Sequence, residues 1–166
     1  MLKLRPYHKD DAAVIAGWLD SEEAMHKWSA DRYRTFPLTA DDINRYYDEA
    51  GNRFYPLTAF DENGLVGHLV VCSREENLST LRFCYVIVDS ARRGQGCGKA
   101  MLTLALRWAF DIVGADKVTL GVFESNEPAR RCYASLGFLP DTPNRRTYRI
   151  NGEDWLCLEL ALERPQ

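Results

Sequence analysis

Leu81-Arg82-Phe83-Cys84-Tyr85-Val86-Ile87-Val88-Asp89-Ser90-Ala91-Arg92-Arg93-Gly94-Gln95-Gly96-Cys97-Gly98-Lys99 is the stretch on which the fold turns. Its first eight residues are rich in β-branched and aromatic side chains and read as a strand. Asp89 to Arg92 read as a turn. Arg93 to Gly98 then open a long helix that runs to about Val113 and stops at Gly114. Alternate glycines let backbone N–H groups point at one anion without side-chain interference. The helix dipole favours negative charge at that end, and Arg92, Arg93 and Lys99 add formal positive charge. The loop is a site for a diphosphate.

Two common diphosphate loops fail to match. A nucleotide P-loop needs G-x-x-x-x-G-K-[ST], but here Lys99 is followed by Ala100, and Arg93 stands where the first glycine should be. A dinucleotide loop needs G-x-G-x-x-G and an acid at the end of the next strand. The spacing here is G-x-G-x-G, and Asp116 begins the next strand rather than ending it.

Outward from this unit, the chain alternates periodic segments with turn signals. Asp10 or Asp11 caps a helix to about Leu19, another helix follows Ser21, and Thr39 caps a third that ends at Gly51. Tyr55–Phe60 and Leu65–Ser73 read as strands joined by Asp61-Glu62-Asn63-Gly64, a hairpin signal. The long helix carries a polar stripe at Lys99, Thr103, Arg107 and Asp111. Val118–Phe123 is a strand, Asn126 caps a helix to Leu136, and two strands, Arg146–Ile150 and Trp155–Leu162, meet at Asn151-Gly152. Strands and helices in this order imply an α/β (α+β) architecture, one mixed sheet flanked by helices.

Bulk properties set the class. With 166 residues, 46% hydrophobic and 27% charged, the chain is expected to be one soluble domain over residues 1–166. A net charge of −3 argues against nucleic acid as the main partner. No apolar run approaches a membrane span, and Met1-Leu2-Lys3-Leu4-Arg5-Pro6 lacks a signal-peptide core, so a cytoplasmic protein is expected. The five cysteines are widely spaced without a C-x-x-C pair, which suggests reduced thiols and neither a disulfide framework nor a metal site.

Arg93, Gly96 and Gly98 fill the pattern [QR]-x-x-G-x-[GA]. Downstream stand Asn126, then a tyrosine seven residues on, Tyr133, then Leu136-Gly137-Phe138. Together these resemble the two halves of the Gcn5-related N-acetyltransferase (GNAT) signature. The likeness is strong over residues 65–140. The ends are more loosely similar to the branch that acetylates ribosomal-protein N-termini and small amines. The resemblance implies a mixed, mostly antiparallel, twisted sheet of about six or seven strands with about four helices. It implies acetyl-coenzyme A as the donor, held by Arg93, Gly94, Gln95, Gly96, Cys97, Gly98 and Lys99 at the pyrophosphate. Val86, Ile87 and Val88, on a β-bulged strand, would pair with the pantetheine arm, and Asn126 would contact it too.

Acetyl transfer to an amine needs a held donor, a neutral amine, a stabilised oxyanion and a proton for the departing thiolate. A backbone N–H near Val88 would serve the oxyanion. Tyr133 is the expected general acid, because a phenol with a pKa of about 10 is neutral at pH 7 and can donate. For the general base, Glu124, His68 and ordered water stay open. Cys97 and Cys132 are disfavoured as nucleophiles, since neither has a histidine beside it in sequence. The acceptor, a small-molecule or peptide primary amine (a protein N-terminus, a polyamine or another small amine), would meet the N-terminal helices and the last hairpin, which carry Trp18, Trp28, Asp31, Tyr33, Tyr46, Tyr47, Tyr148 and Trp155. Aromatics with scattered acids suit a cationic amine, although packing accounts for most of them. A catalytically silent coenzyme A-binding sensor or adaptor is the alternative, a longer acyl donor is a variation, and a homodimer is left open.

Overall fold

The computed structural model describes residues 1–73, 76–141 and 143–166. Its elements run β1 (Lys3–Pro6), α1 (Asp11–Gly17), α2 (Glu22–Ser29), α3 (Ala40–Glu49), β2 (Phe54–Asp61), β3 (Gly64–Cys72) and β4 (Thr80–Val88). After a short 3-10 turn at Ser90–Arg92 come α4 (Cys97–Arg107), β5 (Lys117–Phe123), α5 (Glu127–Ser135), β6 (Leu139–Pro140), β7 (Arg146–Ile150) and β8 (Glu153–Glu163). The strands form one sheet of eight in the order β1-β2-β3-β4-β5-β8-β6, with β7 on β8. Among the described strands only β4 and β5 pair in parallel. The described strands thus exceed the expected six or seven by β6, a two-residue strand with no periodicity to read, and the α-helices number five rather than four.

Two apolar clusters sandwich the sheet. On one face Met101, Leu102, Ala105 and Ala109, completely or almost completely buried, pack with Leu81, Phe83, Val118 and Leu120. On the other, Ile15, Met25, Trp28 and Ile43 of the first three helices pack with Ile87 of β4. Strand alternation explains the split: Leu81 and Phe83 point to the α4 side while Arg82 points away.

Local signals explain the helix starts. Ser21 Oγ accepts the Ala24 N–H at 3.0 Å. Thr39 and Asp42 form a reciprocal capping box on α3. Asp10, expected as a possible cap of α1, makes no side-chain cap bond. Instead Asp11 is committed to Arg5, whose guanidinium reaches both its oxygens at 2.8 Å, and to Thr58 at 2.9 Å. The long helix stops at Gly114 as expected, but its last turns are not α-helical. After Arg107 it widens into a π turn over Trp108–Val113, and Arg164 donates to the carbonyls of Ala115 and Phe110. No described helix is long and apolar enough to cross a membrane.

Candidate active site

The decisive geometry lies in β4. Its parallel pairing with β5 runs from Thr80↔Lys117 to Phe83↔Leu120 and goes no further. Beyond it the strands splay. On its other edge, His68 pairs with Ile87 but Val70 pairs with Cys84, so Leu69 alone faces both Tyr85 and Val86. That extra residue is a β-bulge. Tyr85 takes a positive φ of 52°, an unfavourable conformation for an aromatic residue. Its carbonyl accepts the Trp28 Nε1–H at 2.9 Å, and its hydroxyl meets the Tyr46 hydroxyl at 3.1 Å. The splay opens a cleft of about 400 Å³ between β4, β5, α5, β7 and the segment after α2.

The glycine loop stands at the end of β4. Gly94 and Gly96 have φ of +73° and +79°, and a Cβ at either would meet nothing within 4 Å. The loop is therefore an open cradle, not one packed shut. Gly96 is the N-cap of α4 and offers no side chain to the first N–H groups of the helix, leaving them for a ligand. Gly98 differs: a Cβ there would sit in ordinary contact, 3.4 Å from Val88, where α4 begins against β4. Arg92, counted above among the loop's free charges, is instead held by Asp61 across the β2–β3 hairpin. The Gln95 side chain turns back onto the Ala91 carbonyl at 3.2 Å. Arg93 and Lys99 form no ion pair among the described residues and keep their charge for the cradle. These residues fit a diphosphate.

Tyr133, Asn126 and Val86 all line the cleft. Tyr133 is 6% exposed and packs edge-on to Phe138 at 6.0 Å. Burial pushes its phenol pKa well above the ordinary value, so the group is protonated across the working pH range. Asn126 begins α5 without a side-chain cap bond. Its expected capping role is therefore not used, and the amide is left to the cleft. Ile87 departs from its neighbours: its side chain is buried in the cluster under the first three helices, leaving only its backbone on the β4 edge. Val86 and Val88 pack on the α4 side.

Glu124 is exposed at the end of β5, where its carbonyl accepts from Arg130 at 3.0 Å. It does not line the cleft. His68 is completely buried, with Nε2 bonded to the Tyr47 hydroxyl at 2.7 Å. Burial pushes its pKa down to about 3, and its ring is stacked on Tyr47 rather than turned to the cleft. Burial raises the Cys132 thiol pKa, which disfavours a thiolate nucleophile there. Most of the flagged aromatics do pack together: Trp28 stacks on Tyr33 at 5.9 Å and Tyr46 meets Phe54 edge-on at 5.5 Å.

Sequence reading missed Trp28 as the support of the bulge, and missed Arg82. The guanidinium of Arg82 is gripped by both Glu159 oxygens at 2.7 Å in the cleft wall. A Cβ on Gly121 would approach Arg82 Nη2 and Cys157 Sγ to 3.0 Å, so the glycine makes room for the pair. The signal for Arg82 was one cation inside an apolar strand.

A splayed parallel pair, a bulge at the splay and a glycine cradle at the end of the bulged strand together define an acyltransferase site. The Acetyltransferase (GNAT) family profile matches residues 21–138; the chain belongs to that family and is an acyltransferase. It is 24% identical over 153 residues to the spermidine N(1)-acetyltransferase of Escherichia coli, covering 92% of this chain and 80% of that one. It is 26% identical over 166 residues to the SPbeta prophage-derived uncharacterized N-acetyltransferase YokL of Bacillus subtilis, covering 98% and 90%. In fold it is similar to the spermidine N-acetyltransferase from Vibrio cholerae solved with CoA and spermine, at TM-score 0.81 and 18% identity, over 98% of this chain and 95% of that one.

Proposed function

We propose that residues 1–166 act as one N-acetyltransferase unit that moves an acetyl group directly from acetyl-coenzyme A to the primary amine of a small molecule. Acetyl-coenzyme A supplies the activated thioester. The observation that carries the reading is the bulge at Tyr85–Val86, which leaves one edge of β4 without β5 and opens it onto a cleft holding Tyr133 and Asn126. The small-amine acceptors named for the relatives support the same class.

In this reading the loop from Arg93 to Lys99 binds the diphosphate through its N–H groups and two cations. The unpaired edge at Val86, Ile87 and Val88 orients the donor's amides, and its N–H groups stabilise negative charge on the acyl oxygen. Asn126 holds the arm from the α5 side. Tyr133 holds a proton at its phenol oxygen for the departing sulfur. Glu124, outside the cleft, accepts the amine's proton through water. The test is release of free thiol from acetyl-coenzyme A with a panel of polyamines, amino acids and other primary amines. Binding of the donor with no thiol release by any amine would refute transfer and favour a silent coenzyme A-binding module.

A further inference from the structure

The charges lining the cleft do not suit a polycation. Its walls present Lys27, Arg32, Arg82 and Arg146, against the single carboxylate of Asp31. Two of those cations are already balanced. Lys27 lies 3.1 Å from Glu23, and Arg82 is held by Glu159 at 2.7 Å. Arg32 and Arg146 form no ion pair among the described residues. Each instead lies over a tyrosine face, Arg32 at 4.2 Å from the Tyr46 ring and Arg146 at 4.4 Å from the Tyr148 ring.

Stacking of this kind fixes the plane of a guanidinium without using its N–H edge. A fixed fork with N–H groups to spare is suited to a planar carboxylate. The two forks come from different elements of the cleft lining. Arg32 follows α2, and besides its stack on Tyr46 its guanidinium donates to the Tyr85 hydroxyl at the bulge, which uses part of its N–H edge and leaves the rest. Arg146 opens β7, whose Tyr148 packs on Phe123 at the end of β5 at 5.6 Å. Asp31 adds one negative charge next to Arg32, close enough to act on Tyr148. The cleft thus pairs two available cations with one available acid.

We propose that the acceptor is a small aminocarboxylate, whose acid group is bound by Arg32 and Arg146 while its amine faces the β4 bulge. This deepens the acyl-transfer reading and rests on it. A polyamine would bring several positive charges to walls that already carry uncompensated ones, and like charges in a cleft of about 400 Å³ repel.

The experiment uses matched pairs: amino acids and their carboxamides, with spermidine and spermine alongside, each tested for thiol release from acetyl-coenzyme A. The expected result is kcat/KM at least about tenfold higher for the acid than for its amide, worth about 1.4 kcal/mol of transition-state binding. Arg32→Gln and Arg146→Gln should each raise KM for the acid about tenfold more than KM for the amide. Calorimetric titration of the same acids into the coenzyme A-loaded protein reads the anion site without turnover. Acids that bind and lose affinity in the arginine variants, with no thiol released by any amine, would sink the acyl-transfer reading but keep the anion site. Turnover of spermidine with none of the acids, or equal losses for acid and amide in both variants, would overturn the proposal.

Discussion

Trp28→Phe tests whether the bulge is held from outside its own strand. The indole donates to the Tyr85 carbonyl at 2.9 Å, stacks on Tyr33 and meets Tyr85 edge-on at 5.5 Å. Phenylalanine keeps most of the ring contacts and removes only the donor. A lost hydrogen bond with its acceptor left behind costs about 1–3 kcal/mol. A non-glycine residue in the left-handed region stores about 1–2 kcal/mol. The two are of similar size, so without the tie the positive φ of Tyr85 is no longer firmly selected. For a chain of this length the melting temperature should fall by roughly 3–10 °C. With saturating donor and the best amine of the panel, kcat should drop about tenfold, equivalent to about 1.4 kcal/mol in the barrier, with a smaller change in the donor's KM. Tyr33→Phe is the control. Its buried hydroxyl has no hydrogen-bond partner among the described residues, so removing it should leave stability equal or higher and kcat intact. A Trp28→Phe protein that melts lower but keeps its kcat would refute the reasoning, because the β3–β4 register alone would then hold the bulge.

Tyr133→Phe should lower kcat by about 10²-fold or more with little change in donor affinity; equal losses in both would mark Tyr133 as a packing residue. Gly96→Ala forces a Cβ onto a φ of +79°, so it should cost about 1–2 kcal/mol in stability and weaken coenzyme A binding, as read by titration calorimetry. His68 is neutral in the fold, with its pKa pushed down to about 3 by burial. The unfolded chain takes up this proton near pH 6.5, whereas the folded chain does not. Its contribution is therefore complete above pH 6.5 and is lost as pH falls toward 3, reaching about 2 kcal/mol by pH 5. In denaturant melts, the wild type should lose about 2 kcal/mol more stability than His68→Asn between pH 7.5 and 5; equal losses would contradict it.

Much of this site was legible from the chain because it depends on local signals. The strand from Leu81, the glycines to Gly98, and the spacing from Asn126 to Tyr133 are contiguous patterns, and the structure gathers them around one cleft. What escaped reading depends on distant partners. Nothing near Arg92 announces that Asp61, across the sheet, will neutralise it. Nothing in the string Cys84-Tyr85-Val86 announces a positive φ, because the restraint comes from an indole on α2. Asp10 resembled a cap as well as Asp11 did, and only the position of Arg5 on β1 decided how Asp11 is used. His68 looked eligible as a base until its neighbours from α3 buried it.

Where β4 and β5 part, the two halves of the sheet are joined by backbone pairing at one end alone, over Thr80–Phe83 and Lys117–Leu120. Mechanically this is a tuning fork. The paired end is the stem, clamped by the core around Leu81, Phe83, Val118 and Leu120. Val86–Val88 and Val122–Phe123 lie on the prongs. In such a body the amplitude of motion grows with distance from the stem, so thermal breathing falls on the residues that face the slot while the core stays still. Whatever bridges the prongs damps the fork. Amide exchange at Val86 and Val88 should therefore report occupancy of the slot more sharply than exchange anywhere in the stem.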